Sequence, residues 1–86
     1  MGISVRKLDP RAREVKIDED CLRVTLADGR TIAVPLAWFP RLLHATHKQR
    51  KNWRLIGEGE GIHWPGLDED LSVAGLLAGT TAPGTP

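Results

Sequence analysis

The chain has 86 residues, 41% of them hydrophobic and 27% charged, with a formal net charge of +1. A chain this short holds one small domain rather than two and buries only roughly 60% of its unfolded surface, so a partner or a second copy would add stability. Cys21, the single cysteine, excludes the disulfide framework of a small secreted domain, which favours a reducing compartment.

The N-terminus MGISVRKLDP lacks the apolar core of a signal peptide. No apolar run approaches the roughly 18 residues that cross a bilayer, so a cytoplasmic protein with no membrane partner is expected. Charge is distributed in blocks. Residues 1–28 mix both signs, and residues 29–57 carry Arg30, Arg41, Lys48, Arg50, Lys51 and Arg54 with no acid. From Leu55 onward there is no Lys or Arg, only Glu58, Glu60, Asp68, Glu69 and Asp70.

In chain order, residues 1–10 read as a flexible N-terminal arm and residues 11–78 as a single domain. Within it Val15 and Ile17, then Leu22, Val24 and Leu26, then Ile32 and Val34 alternate with polar or small neighbours. That is the period-two pattern of half-buried strands. An acidic turn at Asp18–Asp20 and the dipeptide Asp28-Gly29, suited to a tight hairpin, separate them, and the result is an antiparallel three-strand meander. Cys21 is assigned to the inward register.

After Pro35 the period changes. Phe39, Leu42 and Leu43 suit one face of a helix, and Pro40 is tolerable if that helix starts near Ala37 or Trp38. Thr46 to Gln49 reads as T-x-x-Q, a capping box opening a second short helix that runs to about Trp53. Leu55 to Trp64, interrupted by GEGEG, suits a bend or bulged hairpin with one or two further strands. Ser72 caps a last helix that carries Val73, Leu76 and Leu77 inward, with Asp68, Glu69 and Asp70 at its positive end. Residues 79–86 read as a disordered tail. The fold class is α+β, a small antiparallel sheet with short helices packed on it.

Chemistry-bearing patterns are thin. His44 and His47 with His63 could approach a metal, but Thr46 starts a new helix between the first two and surface histidines are favoured. Asp68, Glu69 and Asp70 lack the ligand series of a calcium loop. GEGEG carries Glu58 and Glu60, which would repel phosphate, and no Lys-Ser or Lys-Thr follows it. No catalytic residue, metal or cofactor is assigned.

The basic segment 41–54 is the best functional candidate, because Arg41, Lys48, Arg50, Lys51 and Arg54 beside Trp38 and Trp53 have the makeup of an interaction hot spot. Arg50 and Arg54 are expected to be replaceable by Glu without loss of the fold. A secondary candidate surface comprises Glu58, Glu60, His63, Trp64, Asp68 and Asp70.

The stretches PLAWFPRLLHAT and QRKNWRLIGEGEGIHWPGLDEDLSVAGLLAG resemble a bacterial family known as domain of unknown function 2442, over roughly Val15 to Gly79. The resemblance implies a small α+β fold, sometimes joined to a helix-turn-helix domain and often encoded beside another short protein, an arrangement similar to a toxin–antitoxin pair. This sequence carries no appended helix-turn-helix, which favours partner binding over operator binding. The expected function is therefore a non-catalytic protein-interaction module, antitoxin-like or regulatory, with a small protein partner. Homo-oligomerisation is a further expectation, and the alternative function is a nucleic-acid-binding transcriptional regulator using segment 41–54.

Overall fold

The structure, a computed structural model, describes residues 8–79. Strands β1 (Ala12–Ile17), β2 (Cys21–Leu26) and β3 (Thr31–Pro35) form the antiparallel meander in the order β1-β2-β3. Its central strand turns Leu22, Val24 and Leu26 completely into the core. At the first turn Asp18 Oδ1 accepts hydrogen bonds from the amides of Asp20 and Cys21 at 2.8 and 2.7 Å, the local bonding that makes Asp a turn residue. At the second, Gly29 has φ +95°. Because Leu22 points inward, its neighbour Cys21 takes the opposite face and is half-buried, which corrects the inward assignment.

A 3₁₀ turn over Leu36–Trp38 leads to α1 (Pro40–Leu43) and α2 (His47–Lys51). Pro40 opens α1 at its first position and not inside a helix begun at Ala37 or Trp38. Phe39, 1% exposed, separates the turn from the helix. Leu42 is buried while Leu43 is 36% exposed, so only part of the expected face points inward. The capping box is present: the Gln49 amide donates to Thr46 Oγ1 at 3.1 Å and the Thr46 amide to Gln49 Oε1 at 2.9 Å. α2 stops at Lys51, leaving Trp53 in the extended entry to β4 (Arg54–Ile56).

Strands β4, β5 (Gly61–Trp64) and β6 (Glu69–Ser72) form a second antiparallel sheet in the order β4-β5-β6. The hairpin expected around GEGEG is β4–β5. β6 is new: its acids suggested the start of a helix, but pairing of Ile62 with Leu71 and Trp64 with Glu69 makes the segment a strand. α3 (Val73–Ala78) follows directly, with Ser72 Oγ accepting from the Gly75 amide at 2.9 Å. Its inward residues are Val73 and Leu76, whereas Leu77 is 49% exposed. Gly79, at φ +82°, closes α3 and is therefore a helix cap and not the first residue of a tail.

The buried hydrophobic side chains of both sheets and of α1 and α3 belong to one cluster, in which Leu22, Val24, Phe39, Ile62 and Trp64 are among the most deeply buried. The loop between β4 and β5 locks the sheets together. Gly59, at φ +99°, lies against β1 so closely that a Cβ would stand 2.6 Å from the Ala12 carbonyl oxygen. At the same end of the meander the Asp9 amide donates to Asp28 Oδ2 at 2.9 Å and the Ala27 amide to the Arg11 carbonyl at 2.8 Å. Asp9 is thus part of the fold, and the expected arm is shortened; residues 1–7 of the arm, and the tail after Gly79, lie outside the described residues. No helix of the described residues is long and apolar enough to cross a membrane.

Two outcomes are expected. Gly29→Ala, where nothing lies within 4 Å of the new Cβ, should cost roughly 1–2 kcal/mol through positive φ alone, and Gly59→Ala at least ~1 kcal/mol more in urea unfolding, because strain and overlap add. The Arg30 side chain, then the Asp9 amide, hold the Asp28 carboxyl down from 3.8 to about 2. Its stabilising contribution is therefore complete above pH 3.8 and lost as pH falls towards about 2. Asp28→Asn should flatten the acid limb of the stability profile in that window and lower the melting temperature at neutral pH.

Candidate interaction surface

The first sheet neutralises most of its own cations. Arg11 pairs with Asp9 at 2.7 Å, Lys16 with Glu14 at 3.4 Å, Arg23 with Asp18 at 3.2 Å and Arg30 with Asp28 at 2.9 Å. Segment 41–54 behaves differently: among the described residues no carboxylate pairs with Arg41, Lys48, Arg50, Lys51 or Arg54. Lys48, Lys51 and Arg54 are exposed, on α2 and at the start of β4. Trp38 and Trp53 are half-buried and pack against the core, so each is an anchor with one side still accessible.

The two remaining cations have structural work. Arg50 Nε donates to the Leu42 carbonyl at 2.9 Å and Nη2 to the Leu43 carbonyl at 2.8 Å. Both carbonyls lie at the end of α1; that of Leu42 also accepts from the Ala45 amide at 3.2 Å, and Arg50 supplies the side-chain donor to each. The Arg50 carbonyl in turn accepts the indole N–H of Trp64 at 3.1 Å. Arg50 is therefore not a freely replaceable surface cation, and Trp64, 0% exposed, is withdrawn from the secondary surface. Arg41 Nη1 donates to the Asp68 carbonyl at 2.7 Å, which ties α1 to the start of β6. Beside it Glu69 is 7% exposed; burial pushes its carboxyl up, and the charge of Arg41 acts against that rise.

Glu58 and Glu60 are exposed in the β4–β5 loop, and Asp68, with φ 51°, is exposed before β6. On the outer face of the second sheet, Arg54 is opposite His63 and His63 is opposite Asp70. His63 Nδ1 meets the Asp70 carboxylate. The two surfaces separated in sequence thus share one cross-strand row. His44 and His47 are exposed on either side of Thr46, and no group of three metal-ligating side chains occurs among the described residues.

A groove of about 630 Å³ separates β1 from α2, lined by Val15, Ile17, Lys16, His47, Lys51 and Trp53 among others. The contribution of β1 was not anticipated. Its alternation marked it as a strand, but which strand lies at the sheet edge is decided by strand order. The basic wall, by contrast, comes from the segment that its charge had singled out.

This architecture defines a class, small α+β proteins of two three-stranded antiparallel sheets sharing one core. Residues 12–82 match the family described as "Protein of unknown function (DUF2442)", and the chain belongs to that family. The fold is similar to the crystal structure of a protein of unknown function from Rhodospirillum rubrum ATCC 11170, with TM-score 0.74 and 34% identity over 86% of this chain and 92% of that one. It is also similar to the solution NMR structure of an uncharacterized protein from Chromobacterium violaceum, with TM-score 0.72 and 25% identity over 86% of this chain and 70% of that one. No curated protein matches.

Arg50→Ala should destabilise the protein by about 2 kcal/mol, since two charge-assisted bonds are lost and the Leu43 carbonyl is left without its donor. Lys48→Ala, on the same helix but without such bonds, should stay within about 0.5 kcal/mol of the wild type in chemical unfolding.

Proposed function

We propose that the protein is a non-catalytic interaction module that docks an acidic protein partner on the face formed by Lys48, Lys51 and Arg54 beside Trp53. The observation that carries this is the contrast in charge pairing: the cations on and beside the first sheet, Arg13 excepted, have local carboxylates, while those of α2 and β4 have none among the described residues. Exposed cations next to a half-buried tryptophan supply both attraction and an aromatic anchor. A role as the antitoxin-like or regulatory member of a small bacterial two-gene system, working in the cytoplasm, is the biological setting we propose. That setting rests on the family resemblance and not on geometry.

The same uncompensated cations also support the second reading, a nucleic-acid-binding regulator, in which they would contact phosphates and affinity would fall steeply with salt. Asp68 and Asp70 would then have to face away from the backbone.

Tagged protein recovered from the lysate of its own bacterium, with and without nuclease, tests both readings. The wild type should retain a stoichiometric acidic protein after nuclease. Lys48→Glu/Lys51→Glu/Arg54→Glu should retain at least tenfold less with an unchanged melting curve, because none of the three side chains makes a hydrogen bond or ion pair among the described residues. Equal retention by the triple variant would remove this face. Nucleic acid lost on nuclease treatment, with no protein retained, would transfer the surface to the regulator.

A further inference from the structure

We propose that the partner engages this protein by strand addition, an extended acidic segment pairing with the open edge of β1 as a fourth strand of the β1-β2-β3 sheet. The inference rests on the interaction reading above and specifies its chemistry.

The hydrogen-bond ladder defines the edge. The Asp18 amide donates to the Cys21 carbonyl at 3.1 Å and the Leu26 amide to the Arg30 carbonyl at 2.8 Å. Bonded and non-bonded pairs alternate along an antiparallel ladder, so Lys16 with Arg23 and Glu14 with Thr25 are the bonded pairs between β1 and β2. Val15 and Ile17, opposite Val24 and Leu22, then direct their N–H and C=O away from β2. Neither residue takes part in any other hydrogen bond among the described residues. Such an edge is a template for another strand.

The groove beside the edge fits one extended chain. Its far wall is α2 and Trp53, and its volume of about 630 Å³ suits a single segment and not a strand with a sheet behind it. Open edge, slot and facing helix are the elements of peptide capture by β-augmentation. Ile17 and Trp53, both half-buried, offer apolar contact to alternate side chains of the incoming strand, while Val15, a core residue 5% exposed, contributes its backbone. The charges select its other residues. On the strand side Glu14 and Lys16, and Asp18 and Arg23, neutralise one another, whereas His47, Arg50 and Lys51 on the helix side have no carboxylate partner among the described residues. The excess is positive, so the segment is one that alternates apolar residues with Asp or Glu.

The test titrates the ¹⁵N-labelled full chain with a blocked hexapeptide of alternating Val and Glu, its Val/Lys counterpart, and two versions of the Val/Glu peptide N-methylated on the Val or on the Glu amides. The Val/Glu peptide should shift the Val15 and Ile17 amides and slow their hydrogen exchange at least tenfold, and the Val/Lys peptide should not. One N-methylated version should lose binding, and Lys51→Glu should weaken binding at least tenfold. If both N-methylated versions bind as well as the parent, strand addition is overturned while the basic face survives. Binding indifferent to both the Lys51 charge and the peptide charge overturns the two together. No shift at Val15 and Ile17 with millimolar peptide overturns the proposal, as does concentration-dependent protection of those amides without peptide, which would give the edge to a second copy.

Discussion

A tryptophan completely removed from water still carries one N–H that needs an acceptor. Trp64, fully buried in the core, finds it in the carbonyl of Arg50, within α2 and outside its own sheet. That bond sets α2 against the second sheet, and the guanidinium of the same residue closes the end of α1. Two helices too short to be stable alone are thus held by one polar chain running from the core outward. The position of α2 determines everything functional that follows, because α2 is one wall of the groove and the origin of its charge.

The second organising constraint is steric. The β4–β5 loop can approach β1 only because residue 59 has no side chain, and the contact turns two three-stranded sheets, each too small to bury both faces, into one body with one core. The molecule gains a division of labour from this. The first sheet is electrically quieter, its cations, Arg13 excepted, paired within their own turns and strands. The segment that crosses between the sheets keeps its positive charge unmatched, and there the chemistry of recognition concentrates.

Much of the site was legible along the chain because its cause is local. The run of cations without acids from Arg30 to Arg54 is a property of composition, and the capping box at Thr46 needs only residues three apart to form. Arg50 was not legible in the same way. Nothing in Gln49-Arg50-Lys51 distinguishes it from its neighbours, and its role appears only when Leu42, Leu43 and Trp64 are brought to it. The row Arg54, His63, Asp70 likewise joins three strands, and strand pairing is not written at any one of those positions.

The α+β class, the meander with its turns at Asp18 and Gly29, the helix starts at Thr46 and Ser72, and the family can all be read along the chain, because alternation, turn chemistry and capping are encoded over a few residues. Tertiary structure alone decided that Glu69–Ser72 is a strand, that Leu77 faces outward, that Trp64 is core and that β1 is an edge. Each of these depends on partners distant in the chain, whose hydrogen-bonding and packing demands outweigh local preference.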